Sequence, residues 1–375
     1  AGVEVLRGGS LGKATTARMR GANANQTLVM IDGAKLNSPT LGLADLADLS
    51  VDNIERIEVV RGPLSALYGS EAIGGVIQIV TKKGHGRPAV WASLEGGGFG
   101  TLWGRFAASG AAGDAAWSVG ASRLKSDGQE FDAPFGPLEH DGYGLSTLSG
   151  RLDAPLGGSH TLSARFRWSD GDRDLPIETY GAQVFDRNAT QADRNLSFSA
   201  DWSAGKGRWR STLGAAITEG RTDFDDPKDP DEEGFFAADL TSLTQTDRQA
   251  VSWTNTIELH PLDTLVVGAE WERRAGRNSD NFSGLNFDED YSNFSFQAAN
   301  RLVLDDSHLG PGRSLVLSAG VRYDDDDSFG SEWSPKLGAL LNLASDRLRL
   351  RFNYAEGFRA PSINELAFPF FGNPD

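Results

Sequence analysis

Cysteine is absent from the 375 residues, which excludes disulfide frameworks, thiolate metal sites and cysteine nucleophiles together. No stretch of about 18 or more consecutive apolar residues occurs and the mean hydropathy is −0.35, so a helical membrane span is excluded. A membrane β-barrel stays open, because its strands expose an apolar residue only at every second position. Methionine is nearly missing, with 2 residues against 45 Gly and 9 Trp, a balance that favours turns and aromatic-studded strands over packed helices. Cations are short too: 36 Lys and Arg face 52 Asp and Glu, a net charge of −16. A field of that sign repels a phosphate backbone and argues against nucleic acid as a partner. Ala1 is not an initiator Met and no signal segment precedes it, so a mature form or a fragment is expected.

Enzyme chemistry also lacks its parts. Gly8-Gly9-Ser10-Leu11-Gly12 fits a nucleophile-elbow pattern, but no helix pattern follows it and no Ser, Asp and His order can be completed. His85, His140, His160, His260 and His308 are scattered singly, without metalloprotease spacing. Gly205-Lys206 lacks the upstream glycine of a phosphate loop. The expectation is a chain that is not an enzyme and carries no catalytic cofactor.

What is present falls into two regions, residues 1–84 and 85–375. In the first, Leu28-Val29-Met30-Ile31 is a continuous apolar run closed by Asp32-Gly33, which reads as a buried strand and a tight turn. Ile54 to Val60 and Val76 to Val80 read as further strands, and Pro63 opens a short helical turn between them. This is an α+β pattern. From about Pro88 the period is two: Leu348, Leu350, Phe352 and Tyr354 alternate with Arg347, Arg349, Arg351 and Asn353. The same alternation recurs at Leu162 to Trp168, Leu196 to Trp202, Leu265 to Trp271, Phe294 to Ala298 and Leu315 to Tyr323, for about thirteen strands. Short turns near Gly113, Gly157, Gly205, Pro261 and Asp346 alternate with long loops over 126–141, 171–189, 222–244, 277–289 and 324–332. A meander with short turns on one side and long loops on the other reads as a transmembrane barrel rather than a soluble sandwich.

The segments Thr27 to Asn37, Ile54 to Pro63 and Ala66 to Lys82 resemble the plug domain of TonB-dependent outer-membrane transporters. Trp333-Ser334-Pro335-Lys336 and Tyr354-Ala355-Glu356-Gly357-Phe358-Arg359-Ala360-Pro361-Ser362 are similar to mid-barrel motifs of that family. Within it the likeness is greatest to vitamin B12 (cobalamin) transporters. The resemblance implies membrane all-β architecture: an N-terminal α+β plug in the lumen of a 22-stranded antiparallel barrel, here partial. It further implies a bacterial outer-membrane location, partnership with the inner-membrane TonB complex, and contact with outer-membrane lipid and lipopolysaccharide. A TonB box, the first plug strand and about nine C-terminal strands are expected to be missing. Cobalamin or another corrinoid is the expected substrate, a ferric siderophore is the alternative, and a passive porin or adhesive barrel is the alternative of another class.

The resemblance also implies sites. Leu36, Asn37, Ser38, Pro39 and Leu41 fall in a first apical plug loop, and Ser65 and Tyr68 in a second, both expected to touch the ligand. The five long loops hold 25 acidic and 4 basic residues, so the acidity of the chain is concentrated there. Asp186, Asp226, Asp231 and Asp239 are candidate calcium ligands, with a solvated acidic loop as the competing reading. Arg20 and Arg61 of the plug are expected to pair with the wall carboxylates Glu270, Glu272 and Glu356, either as a latch or as plain structural ion pairs.

Overall fold

The computed structural model describes residues 2–131, 139–175, 177–178, 185–186, 188–228, 238–281, 284, 286–343 and 347–368. The plug opens on a hairpin, β1 (Val3–Arg7) and β2 (Thr15–Met19). Its main sheet is built from β3 (Thr27–Ile31), β4 (Ala34–Lys35), β5 (Ile54–Arg61) and β6 (Gly75–Thr81), in the order β4-β3-β6-β5. β3 and β4 are joined by Asp32-Gly33 with φ of 47° and 91°, and two left-handed residues in a two-residue loop make the hairpin turn whose twist matches its strands. β3 and β6 run parallel, so the chain between them crosses over; that crossover carries β5 and the short helix α1 (Ser65–Tyr68). Alternation sorts the apolar residues to two faces: Val29, Ile31, Ile77 and Ile79 pack with Met19 and Ala17, while Leu28, Met30 and Val76 pack with Leu64 and Ala72.

The chain leaves the plug through Gly84, where a Cβ would lie 1.9 Å from the carbonyl oxygen of Trp117; only glycine permits that approach. The wall then begins. Its strands are β7 (Ala89–Gly96), β8 (Leu102–Ala112), β9 (Ala115–Ser126), β12 (Tyr143–Gly157), β13 (His160–Asp174), β16 (Thr190–Lys206), β17 (Trp209–Asp226), β18 (Leu240–His260), β19 (Asp263–Asp280), β20 (Phe287–Leu304), β21 (Ser314–Asp326), β22 (Gly330–Leu343) and β23 (Leu348–Ala355). Two-residue pairs, β10 (Glu130–Phe131) with β11 (Glu139–His140) and β14 (Ile177–Glu178) with β15 (Phe185–Asp186), lie in two of the long loops. The thirteen wall strands form one antiparallel sheet in chain order, with β7 and β23 as its edges. Two further helices are α2 (Asp306–Leu309) and α3 (Ile363–Ala367).

Burial in the wall is inverted relative to a soluble sandwich. Phe198, Leu213, Ile217, Val251, Trp253, Trp271, Phe294 and Phe352 are exposed, whereas Ser197, Ser199, Arg248, Glu272, Ser295, Arg322 and Asp324 on the other face are buried. Ionisable side chains are almost never buried unless paired, so the polar face must close over something that pairs it. That partner is the plug, and the apolar face is left outward as in a membrane barrel.

Candidate functional site

Plug and wall meet along two ionic seams. In the first, Lys35 reaches Glu272 at 2.6 Å and Glu270 at 3.7 Å. Arg248 of β18 donates to Glu71 of the plug at 3.2 Å, to Glu272 at 3.1 Å and to the carbonyl oxygen of Asn37 at 3.1 Å. Arg322 of β21 joins Glu270 and Asp324 at 3.1 and 3.0 Å, and Arg274 of β19 holds Asp326 at 2.5 Å. Burial presses the Lys35 ammonium toward its neutral form; Glu272 and Glu270 more than offset this and hold it above the ordinary lysine value.

In the second seam Asp48 of the plug accepts from the Tyr143 hydroxyl at 2.8 Å and from Arg173 of β13 at 2.8 Å. Arg173 also holds Asp193 of β16 at 2.6 Å and the carbonyl oxygen of Gly12, and Lys13 pairs with Asp141 at 2.6 Å. Burial pushes the Asp48 carboxyl up to about 6, although Arg173 and the Tyr143 hydroxyl oppose it.

Between the seams lies a cavity of about 430 Å³, walled on one side by plug residues 36–49 and on the other by the luminal faces of β13 and β16 to β20. The apical loop that enters it is held by Asn37, whose side chain accepts from the Val29 amide at 2.9 Å and donates to the carbonyls of Thr27 and Gly42 at 3.1 and 3.0 Å. A buried amide with three such bonds is a brace. Ser38 is tied to Thr40 by a 2.8 Å hydroxyl contact, and Gly42 turns the chain back with φ of 71°. α3 folds in from the wall and caps the loop: the amides of Ile363 and Asn364 donate to the carbonyls of Pro39 and Thr40 at 3.0 and 3.1 Å. The apex left to face the cavity is Leu41, 54% exposed. Opposite it stand hydroxyls and amides, including Ser169, Gln191, Asn195, Thr218 and Thr246. The charged lining is Asp45, Asp48, Asp193 and Glu219 against Arg167.

Leu36, Asn37, Ser38, Pro39 and Leu41 therefore all lie at the cavity, though Asn37 turns its side chain away into the loop. Ser65 and Tyr68 do not line it. Ser65 is fully buried, with its hydroxyl 3.3 Å from where a Cβ on Gly357 would lie, and α1 packs on β21 and β22. Glu270 does join the plug, but through Lys35 rather than an arginine. Arg20 and Arg61 are exposed at one end of the plug, Arg20 with its guanidinium beside Gly62 and Arg61 beside Gly2, and Glu356 accepts from the Tyr354 hydroxyl. The seam residues Lys35, Glu71 and Arg248 escape the sequence reading, as do Asp48, Arg167 and Asn364 at the cavity. Alternation alone marks Arg167, Asn195 and Arg248 as luminal, and that is the signal that could have found them.

Of the calcium candidates, the Asp186 side chain and all of Asp231 lie outside the described residues. Asp226 is buried at the end of β17, and Asp239 accepts from the Lys228 amide at 3.0 Å. Among the described residues no group of three or more His, Asp or Glu side chains is arranged to hold a metal, so they do not by themselves fit a site of six to eight oxygens.

Residues 1–76 match the TonB-dependent receptor plug domain and residues 93–375 match the TonB-dependent receptor-like β-barrel. The whole chain is 31% identical over 380 residues to the vitamin B12 transporter BtuB of Photobacterium profundum, and 31% identical over 382 residues to that of Vibrio vulnificus. It covers 57% and 58% of those proteins, so it spans little more than half the length of the curated relatives it matches. Among solved structures, the siderophore receptor PirA of Acinetobacter baumannii superposes with a TM-score of 0.70 at 20% identity, over 98% of this chain and 58% of that one. A mutant of the ferric enterobactin receptor PfeA of Pseudomonas aeruginosa, in complex with enterobactin, gives 0.70 at 20% identity, over 97% and 60%. At such identities the likeness is one of fold. A plug seated against the polar face of an antiparallel wall, with both parts matched in order along the chain, makes this protein a member of the TonB-dependent receptors.

Proposed function

We propose that this chain supplies the plug and a large part of the wall of an outer-membrane transporter for a corrinoid of the cobalamin type, driven by the TonB complex of the inner membrane. The lining of the apical cavity carries the reading: hydroxyls and amides, with four carboxylates against one guanidinium. A large ligand rich in amides finds donors and acceptors there. A ferric siderophore with several negative charges would instead meet a surface of its own sign. The names of the sequence relatives agree with a corrinoid. On this reading the outward apolar residues lie in the outer membrane, and TonB acts by drawing the plug off the Lys35 and Asp48 seams. The proposal extends to calcium on the strength of the acidic loops 171–189 and 222–244 alone.

The test is equilibrium binding of cyanocobalamin and of ferric enterobactin to the intact receptor, each with and without millimolar calcium, and uptake in cells with and without TonB. Cyanocobalamin binding and TonB-dependent uptake are expected, with tighter binding when calcium is present. Binding of the ferric siderophore in place of cyanocobalamin would overturn the corrinoid, and uptake that survives loss of TonB would overturn active transport.

A further inference from the structure

Arg167 differs from the other luminal arginines. Arg151, Arg165, Arg173, Arg248, Arg274 and Arg322 each hold at least one carboxylate within 4 Å. Arg167, half-buried on β13 and lining the apical cavity, makes one hydrogen bond, from Nη2 to the carbonyl oxygen of Asp48 at 3.3 Å. It has no ion-pair partner among the described residues. The carboxylates that act on it most, Asp52 and Asp48, both lie beyond ion-pair distance, and Asp52 is turned toward Ser50 and Arg105. Asp48 is held by Tyr143 and Arg173, Asp193 by Arg173, Gln191 and Thr222, and Asp45 by the amides of Thr15 and Ala47. Half-buried and with one carbonyl as its hydrogen-bond partner, the guanidinium leaves most of its five donors for a group that enters the cavity.

We propose that Arg167 is the specificity residue that recognises the single anionic group of a corrinoid, the phosphodiester of its nucleotide loop. This rests on the corrinoid reading above. The planar guanidinium offers two parallel donors to two phosphodiester oxygens, and the Asp48 carbonyl holds the group in place before the ligand arrives. One unpaired cation matches one negative charge, and the surrounding carboxylates turn away ligands that carry more.

The experiment compares cyanocobalamin with dicyanocobinamide, a corrinoid lacking the nucleotide loop and its phosphodiester, on the intact receptor and its Arg167→Met and Arg167→Lys variants. The parent should bind cyanocobalamin about 10 to 100-fold more tightly than cobinamide, the span of one charge-assisted contact. Arg167→Met should erase that ratio by weakening cyanocobalamin alone, and Arg167→Lys should restore part of it. Unchanged cobinamide binding serves as the control for folding. Equal weakening of both ligands, or of neither, overturns the role of Arg167 while leaving the corrinoid reading intact. Failure of the parent to bind either corrinoid overturns that reading, and Arg167 falls with it.

Discussion

Replacing Arg248 with Met should loosen the plug from the wall. Arg248 is 4% exposed and ties three plug or wall acceptors: Glu71, Glu272 and the Asn37 carbonyl. Methionine keeps most of the hydrocarbon volume, so the loss is electrostatic rather than a cavity. Glu272 retains Lys35 at 2.6 Å, but Glu71 has no second ion-pair partner among the described residues. Breaking a buried pair from one side costs about 3–5 kcal/mol. At about 4 kcal/mol the locally opened population rises roughly a thousandfold, since each 1.4 kcal/mol is a factor of ten. Hydrogen–deuterium exchange reads this directly. The amides of Val29 and Leu36 are protected by Asn37 and by the Val29 carbonyl, and peptides across residues 27–42 should exchange faster by that factor. Adding Glu71→Gln removes the stranded charge and should recover about 1.5–3 kcal/mol, the worth of a hydrogen bond to a charged group. Exchange within threefold of the parent, or a double variant no better than the single one, would refute this account of the seam.

Asp48 should make stability depend on pH. Its carboxyl sits at about 6 in the folded protein against 3.8 when unperturbed, so the folded state takes up the proton more readily; the stabilisation is complete below about pH 4 and lost as pH rises through 6, about 3 kcal/mol in all. Melting temperatures from about pH 4 to about pH 7 should show the parent gaining on Asp48→Asn as pH falls, and a difference that stays flat would count against the buried carboxyl. Val251→Arg, on the outward face of β18 beside exposed Trp253, should cost about 2–4 kcal/mol when the receptor is folded into lipid vesicles, and a cost near zero would remove that face from the bilayer.

The sequence makes repeating features legible. Phe198 and Trp202 are exposed on β16 while Ser197 and Ser199 are buried, as their alternation requires, and Asp32-Gly33 turns where a buried run meets two residues that tolerate positive φ. Features that depend on long-range register are hidden. Lys35 meets Glu272 across 237 residues and Arg248 meets Glu71 across 177; Glu272 is legible as a wall carboxylate facing the plug, but nothing in the sequence says that its partner is Lys35. Strand alternation says which side of the wall a residue faces but not its height along the lumen, so it does not say which plug cation Glu270 or Glu272 meets. Asn37 misleads for another reason. Its amide suits a ligand as well as it suits Thr27, Val29 and Gly42, and only the folded loop shows which partners took it.

The first seam has a consequence for any path that opens beside it. Lys35 and Glu71 complete a set that Arg248, Glu272, Glu270 and Arg322 cannot balance by hydrophobic contact, because what surrounds these groups is one another. When the plug strands shift, each stranded charge must be solvated at once or the movement stalls, so water has to flood in as the gap forms. On the transport reading proposed above, a passage that began at this seam would be hydrated from its first moment, and cargo leaving the apical cavity along it would travel wet.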